Sequence, residues 1–373
     1  MLAYQEKIVF IIHRVGLGGA ELFLKTIVNN FAGRGIKPVL VLLSEDNPIL
    51  NEFSPEIKVI VAPRRYRYDL SVSRKIRDIV IKEEARKVFC IGAFTFFLAK
   101  LRLMLHANVT FYLSLHTTVP FSVKNHLLDT LYLKFLGKND VVIFICKNQK
   151  EYYKKKYLFN MKRSHVIYNG IDTVYFCPDD LACADKRNII RCLYNIPPED
   201  KVILNVANIR PEKGQVYAIE ALSILHNQFS LKAHLMIVGD AMQEDHEKLV
   251  AYIEQFNLIG YVHFAGMQKD VRPYLAAADA FTLTSYSETF SLAALEAMSF
   301  GLPCVLTNTG GAAEMIVEPK NGLLSKARDA YSIANCWEKI LVSKLDTSYI
   351  MQFAHQNFSS EQMVDNYFQV LSG

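Results

Sequence analysis

The feature that most constrains this chain is a repeated alternation between short β-branched segments and longer amphipathic segments. In a parallel α/β domain each strand is followed by a helix that returns the chain, and that order produces this alternation. The pattern runs through residues 7–167, is interrupted, and resumes at residue 202. Because one hydrophobic core rarely serves 373 residues, the sequence predicts an α/β fold class with two doubly wound, Rossmann-like domains.

The predicted strands and helices of the two halves are of similar number. In the first half they are strands 7–12, 38–43, 58–61, 88–91, 109–113, 141–146 and 164–167, with helices 20–31, 71–84, 122–137 and 147–157. In the second half they are strands 202–206, 234–238, 262–264, 280–283 and 304–307, with helices 214–225, 244–256, 291–300 and a helical stretch from about 330 onward. A polar segment containing Pro178, Pro197 and Pro198 separates the halves and predicts a linker.

Composition excludes several protein classes. Hydrophobic residues make up 51% of the chain and charged residues 21%, which is typical of globular proteins and not of disordered or collagen-like ones. The seven cysteines are scattered without zinc-like spacing, so reduced thiols and a cytoplasmic location are expected. No signal peptide is expected, and the longest apolar run, 88–99, is shorter than the roughly 20 residues that cross a bilayer.

Charge is distributed unevenly along the chain. Residues 1–178 hold 27 Lys/Arg against 14 Asp/Glu, a net +13, and the remainder has a net charge of −8. Basic and aromatic residues alternate at 64–68 and 154–157, and apolar residues with basic edges occur at 94–98 and 100–106. Two interpretations stay open. These faces are ordinary solvated and core faces, or they contact an anionic partner such as the inner surface of a membrane, a lipid-linked phosphate or an acidic glycan. Nucleic acid is not expected, since no recognised module accompanies these residues.

An acid pair marks the strongest candidate site. Glu288 follows a predicted strand and Glu296 lies about two turns inside the next helix, which Thr289 or Ser291 could cap. Eight residues of helix span about 12 Å, the reach from a donor sugar past a diphosphate to a ribose. The helix N-terminus between the acids would offer N–H groups to phosphates. Spacing alone also fits two ordinary helix-surface acids, but Glu296 lies in an apolar run where an acid is paired or functional.

Three other candidate segments follow predicted strands, and ligands bind at the carboxyl ends of parallel strands. Arg210 and Lys213 flank a turn before a helix and could hold a diphosphate, although basic loops are often merely solvated. The loop containing Gly18 and Gly19 could bring backbone N–H groups to a phosphate, but it lacks the third glycine of a dinucleotide fingerprint. His116 follows a strand and is either a catalytic group or a surface or core histidine.

In order along the chain, these segments resemble glycosyltransferase family 4, whose members have the GT-B fold of two facing Rossmann-like domains. The likeness covers nearly the whole chain and is most specific from 202 to 324. The matching segments are 18–21, His116, 166–172, 211–214, 288–296, 301–303 and 310–314.

The resemblance implies a retaining, metal-independent hexosyltransferase. Residues 1–175, with about 355–373 crossing back as a final helix, would form the acceptor-side domain, and 176–354 would bind the nucleotide sugar. It implies that Glu296 binds the ribose hydroxyls and that Lys213 binds the diphosphate. Gly18 and Gly19 would approach the phosphates from the other domain. His116 would lie near C6 of the donor sugar. The donor-sugar contacts would be Glu288, Thr289, Phe290, Ser291 and Leu292.

The same resemblance implies the ligands. A nucleotide diphosphate sugar, with a UDP-sugar preferred, would serve as donor substrate, and no separate cofactor or metal is implied. The acceptor would be a saccharide or lipid-linked saccharide of a surface polysaccharide.

Two departures from the family pattern qualify these implications. Asn208 stands where family members commonly have arginine, and Arg210 is hypothesised to replace it. Thr289 and Ser291 replace two glycines, which would tighten the sugar pocket and leaves donor identity open. A catalytically degenerate scaffold or nucleotide-sugar-binding subunit therefore remains the main alternative, ahead of a nucleotide-sugar epimerase or a dinucleotide oxidoreductase.

Overall fold

A computed structural model describes residues 6–16, 18–66, 68–104, 106, 108–117, 123–157, 163–178 and 180–372. The chain divides into two compact units. Unit 1 comprises Met1–Asn169 together with Ser360–Gly373, and unit 2 comprises Gly170–Ser359.

Both units are built on parallel sheets. The strands are β1 (Lys7–Ile12), β2 (Lys37–Leu42), β3 (Lys58–Val61), β4 (Lys87–Ile91), β5 (Thr110–Leu115), β6 (Val141–Phe144), β7 (Ser164–Val166), β8 (Lys201–Val206), β9 (Ala233–Val238), β10 (Val262–Gly266), β11 (Ala280–Leu283), β12 (Cys304–Thr307) and β13 (Gly322–Ser325). The strand order is β3-β2-β1-β4-β5-β6-β7 in unit 1 and β10-β9-β8-β11-β12-β13 in unit 2. In both sheets the order reverses beside the first strand, which is the topology of doubly wound folds.

Helices connect the strands. They are α1 (Gly19–Ala32), α2 (Val72–Lys82), α3 (Ala93–Leu103), α4 (Val123–Leu133), α5 (Lys147–Tyr157), α6 (Asp180–Leu193), α7 (Gln215–Gln228), α8 (Gln243–Gln255), α9 (Arg272–Ala277), α10 (Leu292–Ser299), α11 (Ala312–Met315), α12 (Ala330–Val342), α13 (Thr347–Phe358) and α14 (Ser360–Ser372). Among the residues described, no helix is long and apolar enough to cross a membrane.

The sequence of β1 explains how unit 1 is layered. Successive side chains of a strand point to opposite faces of the sheet, so a continuous apolar strand feeds two cores. Ile8 and Phe10 pack on one face with α1 and α14, whereas Val9 and Ile11 pack on the other with α2 and α3. The helix α14 therefore completes the core of unit 1, although it follows the whole of unit 2 in sequence.

The predicted fold class is confirmed, and most predicted elements agree with the structure. Strands 7–12, 58–61, 280–283 and 304–307 and the helix 147–157 have the predicted bounds, and most other predicted ends differ by one to four residues. Helix α3 and the short elements β13 and α9 are not among the predicted elements. Residues 94–98, one of the two candidate interfacial segments, lie in α3 and are largely buried in the core of unit 1, which supports the ordinary core interpretation.

The linker prediction for the polar segment after Pro178 is wrong. Residues 180–193 form helix α6, and two of its arginines anchor it to the start of β11. Arg187 and Arg191 each bind one carboxylate oxygen of Asp279, at 2.8 and 2.7 Å. Arg191 also donates to the backbone carbonyls of Pro197, Pro198 and Asp200. The segment is polar, as linkers are, but its arginines form salt bridges with a residue that is distant in the sequence. Sequence alone does not reveal such partners.

Candidate active site

Three loops meet at the carboxyl ends of β8, β11 and β12 in unit 2. The first contains a short 3₁₀ turn, Pro211–Lys213, after which Gly214 (φ 64°) leads into α7. A Cβ at Gly214 would lie 2.4 Å from the carbonyl oxygen of Thr284, so only glycine permits this approach. The Thr284 hydroxyl donates to the carbonyls of Lys213 and Gly214, at 3.1 and 3.0 Å. The first loop is thereby fixed against the second.

The central contact of the site joins these two loops. Nζ of Lys213 lies 2.6 Å from Oε2 of Glu288, and the two side chains are 26% and 23% exposed. Oε1 of Glu288 accepts a bond from the backbone N–H of Thr289, at 3.2 Å. The Glu288 carboxylate is therefore held by both oxygens, and it positions the lysine beside the start of α10.

The loop after β12 supports the Glu288 segment from behind. Gly310 has a φ of 55°, and a Cβ on it would lie 2.1 Å from the carbonyl oxygen of Glu288. The N–H of Gly311 donates to the carbonyl of Thr289, at 2.7 Å. Gly310, which the sequence could explain as part of a simple turn, is thus required for close backbone packing.

Helix α10 begins as predicted with a side-chain cap. Oγ of Ser291 accepts a bond from the N–H of Ala294, at 3.3 Å. Phe290 is buried and its ring packs against that of Phe358, with centroids 5.6 Å apart. Thr289 is also buried, whereas Leu292 remains partly exposed at the first helical position. The remaining N–H groups of the first turn have no partner inside the helix and can face a ligand.

Glu296 lies one turn from the end of α10 and is partly buried between apolar neighbours. Within the described part of the chain, its carboxylate forms no salt bridge or hydrogen bond. Burial raises the pKa of this carboxyl to about 7. A carboxylate without a partner in such surroundings is costly, which favours a ligand-binding role over a structural one.

One buried residue of the site was not among the predicted contacts. Ser285 is 1% exposed, and its Oγ has no hydrogen-bond partner among the residues that the structure describes. It lines a small cavity of about 10 Å³ with Glu288, Thr289, Phe290 and Ser291. Its place three residues before Glu288, at the end of a strand, was the only sequence signal for it.

The positions of Asn208 and Arg210 differ in character. Asn208 is exposed, and its Oδ1 accepts a bond from the N–H of Asp240, at 3.2 Å, so it ties two loops together. Arg210 is exposed, with extended backbone immediately before the 3₁₀ turn, and forms no salt bridge with any residue described. Its guanidinium is therefore available to an anionic ligand beside Lys213.

Unit 1 contains the predicted glycine loop. Gly18 caps α1 with extended backbone, and its carbonyl accepts bonds from the N–H groups of Glu21 and Leu22, at 3.1 and 3.0 Å. Gly18 and Gly19 are exposed. A Cβ on Gly18 would lie 2.3 Å from a carboxylate oxygen of Glu21, so the glutamate folds back over the helix start.

His116 lies just beyond the end of β5 and is partly buried. Its Nε2 is 3.0 Å from Oγ of Ser114, and its ring packs against Phe23 of α1 with centroids 4.6 Å apart. Burial lowers the pKa of His116 to about 4, so the imidazole is neutral at physiological pH.

The structure thus places the predicted residues in two groups. Lys213, Glu288, Thr289, Phe290, Ser291, Leu292, Glu296, Asn208 and Arg210 belong to unit 2, and Gly18, Gly19 and His116 belong to unit 1. In the part of the chain that is described, no cluster of three or more His, Cys, Asp or Glu side chains could hold a metal ion, and none of the seven cysteines forms a disulfide.

Two family models match the chain in succession. The model described as Glycosyltransferase Family 4 matches residues 17–175, and the model described as Glycosyl transferases group 1 matches residues 186–354. Together they cover most of both units.

Curated relatives match part of the chain. The chain is 26% identical over 210 residues to N-acetyl-alpha-D-glucosaminyl L-malate synthase of Bacillus anthracis, covering 55% of this chain and 52% of that protein. It is 28% identical over 186 residues to the lipopolysaccharide core biosynthesis glycosyltransferase LpsE of Rhizobium meliloti, covering 49% of this chain and 53% of that protein. The chain therefore spans about half the length of these relatives.

Solved structures match over nearly the full length. Anabaena Alr3699/HepE in complex with UDP superposes with a TM-score of 0.83 at 22% identity, covering 98% of this chain and 99% of that chain. The same protein in complex with UDP-glucose gives a TM-score of 0.82 at 21% identity, with the same coverage. At this identity the similarity establishes a common fold.

Proposed function

Because this chain belongs to glycosyltransferase family 4 and has the GT-B fold, we propose that it transfers a sugar from a nucleotide diphosphate sugar, with retention at the anomeric carbon. The acceptor is a saccharide or a lipid-linked saccharide. The observation that carries the proposal is the partly buried carboxylate of Glu296, which has no protein partner among the described residues and lies inside a capped helix beside the Lys213–Glu288 pair.

Unit 2 supplies the donor site in this proposal. Glu296 accepts hydrogen bonds from the ribose hydroxyls, and the first turn of α10 offers N–H groups to the diphosphate. Lys213 and Arg210 add positive charge beside the same phosphates. Glu288 and the residues Thr289 to Leu292 contact the donor sugar. The cap by Ser291 and the buried Phe290 support this assignment because they fix the backbone that the sugar would meet.

The reaction breaks the bond between the anomeric carbon and the diphosphate oxygen and forms a bond from that carbon to an acceptor hydroxyl oxygen. The acceptor hydroxyl attacks from the face that the diphosphate leaves, which keeps the configuration, and its proton passes to the departing diphosphate oxygen. Charge that develops on the diphosphate is stabilised by Lys213, Arg210 and the N-terminus of α10, so side chains of the protein supply the cations that the step needs. Glu288 is already bound to Lys213, which favours a sugar contact over a nucleophile.

Unit 1 binds the acceptor in this proposal, and Gly18, Gly19 and His116 are its candidate substrate-binding residues. A UDP-sugar is the proposed donor, supported by the UDP and UDP-glucose complexes of the structural relative HepE. A surface glycan is the proposed product, supported by the name of the relative LpsE. The site of action is then the cytoplasmic side, where nucleotide sugars are made.

Contact with an anionic membrane surface forms a second part of the proposal. On α5, Lys154, Lys155 and Lys156 are exposed, whereas Tyr153 and Tyr157 are buried. On α4, Leu127 and Leu131 are 64% and 48% exposed. Both helices contribute to the same core of unit 1, through Tyr132 and Leu133 of α4 and Tyr153 and Tyr157 of α5. Exposed lysines and exposed leucines within one unit suit an interface with anionic lipid.

The activity is tested with a panel of nucleotide sugars, measuring nucleoside diphosphate release without acceptor. Slow release from one donor that is lost in Lys213→Ala and Glu296→Ala supports the enzyme. Donor binding without any release, in calorimetry on the same samples, would favour the degenerate scaffold.

The membrane proposal is tested separately by liposome sedimentation at low salt. Anionic vesicles should retain the protein, and neutral vesicles should not. Charge reversal of Lys154, Lys155 and Lys156 to Glu should abolish retention. The matched control reverses three exposed lysines of unit 2, Lys248, Lys326 and Lys344, and should still sediment. Equal recovery with neutral vesicles would contradict membrane contact through charge.

A further inference from the structure

A chain of polar atoms leads from helix α14 to His116. Oη of Tyr367 lies 3.4 Å from Oγ of Ser114, and that oxygen lies 3.0 Å from Nε2 of His116. Tyr367 and Ser114 are both fully buried. Tyr367 is wedged between Phe23 and Phe89, with ring centroids 5.0 and 5.9 Å away. The phenol is therefore held at this point by packing, within hydrogen-bond reach of Ser114.

The buried phenol decides the direction of this chain. Burial raises the pKa of Tyr367, so its hydroxyl keeps the proton. Ser114 Oγ is the one hydrogen-bond partner of that hydroxyl among the described residues. A buried O–H that donates to nothing costs free energy comparable to a lost hydrogen bond, so Tyr367 donates to Ser114.

The hydroxyl proton of Ser114 also needs an acceptor. A serine hydroxyl carries one donor and two acceptor positions. With one acceptor position filled by Tyr367, its proton points to Nε2 of His116, the other atom within reach. The opposite direction would have His116 donate to Ser114 and Ser114 donate to Tyr367, which leaves the buried phenol proton without an acceptor.

We infer that Tyr367 is a positioning residue that acts through Ser114 to hold His116 in the neutral tautomer with its proton on Nδ1. In this tautomer Nε2 is occupied as an acceptor, and Nδ1–H is free of partners among the described residues. Its significance for catalysis rests on the proposed function: His116 then offers one fixed N–H to an oxygen of the substrate. Since burial lowers the pKa of His116 to about 4, it acts as a neutral donor and not as a charged one.

The tautomer is measurable without any substrate. Long-range ¹H–¹⁵N spectra of protein labelled in its ten histidines distinguish protonated from bare ring nitrogens, and His116→Gln identifies the signals of His116. We expect Nδ1 to be protonated in the wild type. In Tyr367→Phe and in Ser114→Ala, proton occupancy should move toward Nε2. Tyr112→Phe, which removes another buried phenol of the same sheet, should leave the His116 signals unchanged.

Protonated Nε2 in the wild type, or unchanged occupancy in both Tyr367→Phe and Ser114→Ala, would overturn the inference. The activity readout tests the proposed function separately. With donor and acceptor at saturation, Tyr367→Phe should lower kcat about 2- to 10-fold, the range for one hydrogen bond, with KM nearly unchanged. If the tautomer shifts but kcat does not, the inference about Tyr367 stands and the role proposed for His116 is wrong.

Discussion

Lys213 and Glu288, which are 75 residues apart in the sequence, form a salt bridge of 2.6 Å. Lys213 lies in the loop after β8 and Glu288 in the loop after β11, so the bridge joins the ends of two strands of unit 2. Residues joined in this way act as a unit, so the effects of their substitutions do not multiply. Lys213→Ala should lower turnover about 100-fold, the cost of one transition-state donor. In the Lys213→Ala background, Glu288→Gln should then lower turnover by a far smaller factor than it does in the wild type.

That cycle is measured by nucleoside diphosphate release from the four proteins. The control cycle uses Lys248→Ala and Glu244→Gln, an exposed pair on α8 with a 2.7 Å contact, and should leave turnover unchanged. Losses that multiply at Lys213 and Glu288 would show that the two residues act independently.

The pH dependence of donor binding should report Glu296. Its pKa is raised to about 7 by burial, so the carboxylate that accepts ribose hydroxyls is mostly protonated at pH 6 and mostly ionised at pH 8. Donor affinity should therefore rise about 10-fold over this interval, the change expected for one site that titrates at pH 7. Calorimetry with a nucleotide sugar is preferable to free UDP, whose terminal phosphate titrates nearby. Glu296→Gln should show a flat profile, and a slope that survives this substitution would assign the effect to another group.

Glu296 should also make the folded protein less stable at alkaline pH. A carboxyl whose pKa rises from 4.5 to about 7 on folding binds protons more tightly in the native state. Its stabilising contribution is thus complete below pH 4.5 and is lost as the pH rises through 7. At pH 8, the free energy of unfolding of Glu296→Gln should exceed that of the wild type by about 1–3 kcal/mol, which thermal unfolding detects as a higher midpoint temperature. At pH 4.5 the two proteins should be equally stable. Equal stability at pH 8 would mean that the carboxylate is better solvated than its surroundings indicate.

Arg210 is expected to supply the phosphate contact that Asn208 cannot. Arg210→Ala should weaken donor binding about 10-fold, as expected for loss of a charge-assisted hydrogen bond. Introducing Asn208→Arg into Arg210→Ala should restore most of the affinity, because position 208 is exposed and lies on the same loop. Binding that is unchanged in Arg210→Ala would leave the diphosphate to Lys213 and the helix alone.

Gly310→Ala should damage the site without unfolding unit 2. The new Cβ would meet the Glu288 carbonyl at 2.1 Å and displace the segment from Glu288 to Ser291. Turnover should fall at least about 10-fold, because small displacements of positioning groups have large effects. Gly260→Ala is the matched control, since Gly260 also has positive φ (85°) but nothing lies within 4 Å of its Cβ. Similar losses in both variants would point to backbone strain and not to the Glu288 contact.

Sequence patterns predicted the sheets well because buried parallel strands are apolar along their whole length and helices return between them. They also predicted that Lys213 and Glu288 lie at strand ends. They did not predict that these residues form a salt bridge, nor that Tyr367 reaches Ser114, because both contacts join distant positions whose distance only packing determines. Helix α6 was missed for the same reason: Asp279, which satisfies its arginines, lies about 90 residues away, immediately before β11.

The return of α14 to unit 1 has a consequence for synthesis on the ribosome. Met363, Val364, Tyr367 and Leu371 cover the sheet face that carries Ile8, Phe10 and Phe89. That face stays exposed while the whole of residues 170–359 is translated, whereas unit 2 is continuous and able to fold as soon as it emerges. Unit 1 is therefore translated first but completes its core last. Until α14 is translated, the nascent chain exposes the apolar sheet face that this helix covers.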